Sequence, residues 1–186
     1  MRKLPITGAP AAVLGAALAG LLAGCASPDV RHYQDASPKL DVVRYFSGTT
    51  DAWGMFQKRS GEVVKRFHVT ITGTGDDRSF TLDERFRYDD GTTEQRVWRL
   101  ARSPDGSWTG RAGDVRGEAT GEVAGNALRW QYTLMLPVGG TTYAMQMDDW
   151  MFLIDDCTMI NRASMNKFGV EVGQVTLTFR RRACAP

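Results

Sequence analysis

Histidine is nearly missing from this chain: among 186 residues only His32 and His68 occur. Zinc sites and most general-base machinery lean on imidazole, and neither residue stands at a ligand spacing such as HExxH. The GxSxG elbow, the phosphate-cradling Walker loop and a GxGxxG after a strand are missing as well. Neither a metal nor another cofactor is expected, and enzyme chemistry finds little support. Cysteine is scarce too; three residues without CxxC spacing make neither a disulfide-stapled miniprotein nor a redox motif. Nor does one sign of charge dominate, because 23 Lys+Arg face 21 Asp+Glu. A surface without a broad positive field has no electrostatic draw on nucleic acid.

What remains is one ordinary domain with an extension. With 42% hydrophobic and 24% charged residues, a chain of this size buries roughly two-thirds of its unfolded surface without staples. Glycine is frequent at 20 residues and aromatics make up 10%. That composition favours an all-β meander with many tight turns over a helical fold.

The front of the chain has its own pattern. Arg2 and Lys3 precede a Gly/Ala/Leu-rich stretch from Ile6 to Leu22, which ends at Leu22-Ala23-Gly24-Cys25. A short apolar stretch behind a charged start has the layout of a secretory signal. It is preceded by Pro5, interrupted by Pro10 and falls short of the ~20 residues of a spanning helix. The sequence Leu-Ala-Gly-Cys resembles the lipobox of bacterial lipoproteins, which implies cleavage before Cys25 and lipidation of its thiol. Residues 1–24 then form the signal peptide, and the membrane is a partner through the acyl chains. Losing Arg2 and Lys3 leaves the mature chain formally neutral. By the sorting logic of that family, Ala26 after the cysteine implies the periplasmic face of the outer membrane. Residues 25–44, with Pro28 and Pro38 among Ser, Asp and Gln, read as lipidated cysteine and tether, able to span on the order of 60 Å when extended.

Residues 45–186 read as a single β domain. Alternating apolar runs recur with turn signals between them: Val63 to Ile71, Phe80 to Tyr88, Val97 to Leu100, Leu128 to Leu136, Tyr143 to Met147, Thr158 to Phe168 and Val170 to Arg180. Gly73 to Asp77 is expected to turn the chain. Trp150 to Ile154 is apolar on both faces, which suggests a bulge near Asp148-Asp149. With Trp53 to Phe56 as a first strand, about nine or ten antiparallel segments close into an up-and-down barrel of the lipocalin or calycin kind, a closure that leaves no sheet edge.

Polar residues on apolar faces mark a site. Glu84 falls in line with Phe80, Leu82, Phe86 and Tyr88, and a carboxylate there needs a partner. Arg96, beside Trp98, supplies one, while Asp149, Asn161 and Arg162 extend the network. The ligand-binding set is Glu84, Arg96, Trp98, Trp130, Tyr132, Asp149, Trp150, Asn161 and Arg162, a polar anchor with aromatics along the tail of a fatty acid or phospholipid. Two other outcomes stay open: a filled barrel that serves as an envelope scaffold, and an enzyme on modified lipids using Glu84 and Asp149 as acid and base. No catalytic residue is assigned. Cys157 and Cys184 are the pair available for a disulfide. His68, opposite in phase to Phe67 and Val69, reads as a solvated strand residue, and Arg180-Arg181-Arg182 as a solvated end.

Five blocks, Leu82 to Phe86, Arg96 to Trp98, Gly125 to Trp130, Asp148 to Met151 and Asn161 to Gly169, resemble a proteobacterial lipoprotein family catalogued as a domain of unknown function. The similarity runs from Tyr45 to Phe179. It implies a lipocalin-like fold and, because relatives are often encoded beside enzymes similar to cyclopropane fatty acid synthases, a link to envelope lipids. It carries no catalytic residues. Cys157 departs from the family pattern, where an acid is usual.

Overall fold

The structure is a computed structural model that describes residues 28–184. The expected signal peptide and Cys25 lie outside the described residues. Alternation along the chain produces strands β1 (Gly48–Lys58), β2 (Val63–Asp76), β3 (Ser79–Tyr88), β4 (Thr93–Arg102), β5 (Trp108–Arg111), β6 (Val115–Ala124), β7 (Ala127–Val138), β8 (Thr141–Leu153), β9 (Thr158–Lys167) and β10 (Val170–Arg181). Each pairs antiparallel with its sequence neighbours, and β1 pairs with β10 to close a ten-stranded barrel. The all-β up-and-down barrel read from the sequence is the fold observed.

Because the chain runs up and down, the β1–β2, β3–β4, β5–β6, β7–β8 and β9–β10 turns share one end of the barrel. The remaining turns and both ends of the described chain share the other. A five-residue helix, α1 (Val42–Phe46), covers that second end. Asp41 caps it by accepting from the Arg44 amide at 2.9 Å. Phe46 packs edge-on to Phe179 at 6.0 Å, and the Tyr45 hydroxyl donates to the Cys157 carbonyl at 3.2 Å. Gly73 makes this seat possible, since a Cβ there would lie 2.0 Å from the Phe46 carbonyl oxygen. The expected turn at Gly73 to Asp77 is therefore continuous strand up to Asp76, and the chain reverses one residue later. A Cys157–Cys184 disulfide joins the β8–β9 turn to the segment after β10 at the same end.

Two further expectations change. The tether over residues 25–44 is, from Val30 onward, part of the packed structure: a 3-10 turn at Val30–Tyr33 lies on β6 and β7, and Val30 and Leu40 are buried. Its polar composition hides apolar anchors spaced too irregularly to show a period. Leu40 N–H donates to the Gly125 carbonyl at 2.8 Å, and Gly125 (φ +58) leaves room for the Tyr33 carbonyl, which a Cβ would meet at 1.7 Å. The bulge expected near Asp148-Asp149 is also not found, because β8 keeps an unbroken register with β7 and β9 through those residues. Trp150 and Phe152 are apolar on the outer face because Tyr33 covers them, edge-on at 6.0 and 5.1 Å.

Candidate functional site

The barrel is hollow, so the filled-barrel expectation does not describe it. Its interior holds a cavity of about 610 Å³ that runs from α1 toward the turns of the uncovered end, where Lys65, Tyr88, Glu94 and Pro137 line it. Most of the wall is apolar, as the inward phase of every strand dictates. Trp98 meets Trp130 at 5.5 Å and Tyr132 at 5.3 Å, both edge-on, so three large aromatics form one continuous surface.

A polar group interrupts that wall. Glu84 and Arg96 sit directly opposite in the β3–β4 register, with side chains only 15% and 16% exposed and an Oε2–Nη1 separation of 3.8 Å. The closer partner of Arg96 is Asp114, in the β5–β6 turn. Arg96 Nε donates to Oδ2 at 2.9 Å, and Nη2 lies 2.7 Å from the same oxygen. Burial works against the Arg96 charge, yet the neighbouring carboxyl groups of Glu84 and Asp114 outweigh it and raise the pKa. Burial pushes the Glu84 carboxyl up to about 7 despite Arg96.

Asp149 lies on the neighbouring wall, opposite Trp130 and Ala163. It is 8% exposed, and burial pushes its carboxyl up to about 7, again against the pull of Arg96. The Tyr132 hydroxyl points at Oδ2 from 3.4 Å, while Oδ1 is buried and has no hydrogen-bond donor. Asn161, fully buried beside it, donates from Nδ2 to the Trp150 carbonyl at 3.3 Å. Toward the open end Lys65 Nζ lies 3.3 Å from Asp90 and 3.9 Å from the centre of the Tyr88 ring, whose hydroxyl donates to Glu94 at 2.7 Å.

Of the nine residues expected to bind ligand, Glu84, Arg96, Trp98, Trp130, Tyr132, Asp149 and Asn161 line the cavity. Trp150 and Arg162 do not. Strand alternation turns both outward: Trp150 takes the Arg129 guanidinium 5.2 Å from its ring, and exposed Arg162 donates to Gln174 at 3.2 Å. Asp114 and Lys65 were not among the expected nine. An acid in a Gly-Asp turn carries no mark that separates ligand-facing from turn-forming chemistry, but Lys65 shares the inward phase of Phe67, Val69 and Ile71 and was legible by that phase. His68 stands on the outer wall with Nε2 3.1 Å from Asp51. Among the described residues no group of His, Cys, Asp and Glu is arranged to hold a metal ion.

This arrangement sits inside a sequence pattern that matches the DUF3833 family over residues 19–181. The chain belongs to that family, described as a protein of unknown function. No curated protein matches. Among solved structures, the S-type phycobiliprotein lyase CPES from Guillardia theta superposes with a TM-score of 0.52 at 5% identity, over 75% of this chain and 90% of that one. EF1p2_mFAP2b bound to DFHBI superposes with a TM-score of 0.42 at 10% identity, over 76% of this chain and 100% of that one. At such identity the first likeness concerns the fold alone.

Proposed function

We propose that this protein binds one hydrophobic ligand inside the barrel and is held at the cell envelope by acyl chains on Cys25. The cavity carries the reading: about 610 Å³ lies within the range of pockets that enclose a single small ligand. Its walls are aromatic and aliphatic except for one polar cluster inside and Lys65 and Glu94 at the mouth, the usual division between a surface that removes apolar area from water and a few groups that orient the ligand. An elongated molecule with an acyl or similar tail fits this division, its tail toward α1 and its polar end beside Glu84, Arg96 and Asp149.

The anchor follows from the Leu-Ala-Gly-Cys sequence. Residues 26–29 span at most roughly 14 Å before Val30 is buried against the barrel. Anchored this way the domain stands close to the membrane, tethered through the wall segment over β6 and β7.

Nile red, an uncharged hydrophobic dye, tests the binding reading. Saturable fluorescence at one dye per protein is expected. Leu136→Trp, which adds bulk at a half-buried wall position toward the mouth, should lower that affinity while the melting temperature holds. A dye signal that never saturates, or that Leu136→Trp leaves untouched, overturns it. The anchor is tested separately: Cys25→Ser should move the protein from the membrane to the soluble fraction, and an unchanged distribution removes the lipid anchor from the account.

A further inference from the structure

The polar end of the cavity has an unequal charge count. Glu84, Asp114 and Asp149 face it, against the single guanidinium of Arg96. Arg96 is already committed, since Nε and Nη2 both contact the Asp114 carboxylate at 2.7 to 3.1 Å. A ligand carboxylate or phosphate reaching Arg96 would have to displace Asp114 and then lie beside Glu84 and Asp149. Asp149 adds an independent observation: it is 8% exposed, on the inward face, with one carboxylate oxygen lacking any donor. A buried acceptor without a donor is costly to leave unmatched, and an N–H from a ligand would match it. Phe86, Trp98 and Trp130 line the same space, and aromatic faces attract cations.

We propose that the ligand carries a cationic, hydrogen-bond-donating end, an amine or a comparable group, seated against Asp149 and Glu84 with its apolar tail along the Trp98–Trp130 wall. The inference rests on the ligand-binding reading above and adds the chemistry of the head group, which excludes the free fatty acid expected from the sequence. Among the described residues no charged group facing this position is a free cation, since the Arg96 guanidinium is taken up by Asp114. Tyr132 is a neutral phenol, Asp114 is held by Arg96, and at the mouth Lys65 is opposite Asp90 while Glu94 accepts from Tyr88. Both acids are pushed up to about 7 by burial, so an arriving cation would draw them into the ionised form and release protons.

The test compares probes with one tail and three heads: dodecylamine, dodecanol and dodecanoate. Each displaces Nile red from the mature protein at about pH 8, below its micelle-forming concentration, where the acids are mostly ionised. The amine should bind about tenfold tighter than the alcohol, with dodecanoate weakest. Asp149→Asn should shrink most of the amine's advantage over dodecanol; if that variant fails to fold, Glu84→Gln serves the same comparison. Dodecanoate binding as tightly as the amine overturns the head-group assignment and leaves the cavity reading standing. An amine preference untouched in a folded Asp149→Asn or Glu84→Gln variant also overturns it. If Nile red binds saturably and none of the three displaces it, the head-group assignment falls while the cavity reading stands; if Nile red itself shows no saturable site, the ligand-binding reading fails.

Discussion

The covered end of the barrel and its mouth are built on opposite terms. At the covered end Phe46, Phe80, Phe179 and Ile71 are buried to within a few per cent, a disulfide ties the β8–β9 turn to the chain end, and Arg182 holds Asp51 with two hydrogen bonds. At the mouth Val63, Val64, Val138, Phe168 and Val170 are exposed on three hairpins that follow one another around the barrel. One end stores the stability and the other leaves the interior accessible. Between them lie the buried acids, which cost stability and belong to neither purpose unless something occupies the cavity.

The largest effect is expected where packing is densest. Phe46→Ala removes an aromatic side chain that is 4% exposed and wedged against Phe179. Truncations of this kind cost about 3–5 kcal/mol, because the transfer free energy of the ring is lost and the space it leaves collapses only in part. Urea denaturation should show this loss, and it should also show whether α1 is a true plug: the variant would open the covered end and speed Nile red exchange. A loss under about 1 kcal/mol would mean that α1 rests on the barrel without contributing to it, and the contrast between the ends would go.

The interior acids give the next effect. In the unfolded chain both carboxyls ionise near pH 4; in the folded protein Glu84 and Asp149 do so at about 7. Between those values the native state binds more protons than the unfolded one, so stability falls as pH rises through the window and levels off above it. The double variant Glu84→Gln with Asp149→Asn should flatten that fall and be more stable than the parent at pH 8 by about 1–3 kcal/mol. Asp114 remains to pair Arg96 in the variant. Stability curves between pH 5 and 8 that coincide for parent and variant would show that the acids carry no strain.

How much of this was legible depended on which interaction wrote the pattern. Strand alternation is a property of single residues and their neighbours, so a meander of about nine or ten strands, ten in the structure, and the inward phase of Glu84, Arg96 and Asp149 could be read directly. The cover over Trp150 and Phe152 comes from Tyr33, more than a hundred residues away, and a run that is apolar on both faces looks the same whether it bends or is covered. Arg162 failed for a simpler reason, since it follows Asn161 and alternation must turn it out. The docking of residues 30–46 was invisible because a few apolar anchors in a polar segment make no period. Asp114 faces the cavity only because the β5–β6 turn places it near Arg96, a meeting of two elements that neither encodes alone.

The smallest effect separates the mouth from the rest most cleanly. Phe168-Gly169 is the two-residue link between β9 and β10, and both residues have positive φ, +52 and +78. A link of that geometry favours Asn-Gly, because asparagine tolerates the left-handed region and phenylalanine does so only with strain. Phe168 obtains nothing from packing in exchange, being 91% exposed. Phe168→Asn should therefore stabilise the fold by about 0.5–1 kcal/mol, read as a shift in the urea midpoint with an unchanged slope. A destabilised Phe168→Asn variant would show instead that the ring supports the barrel, and the open end would then share the structural role of the covered one.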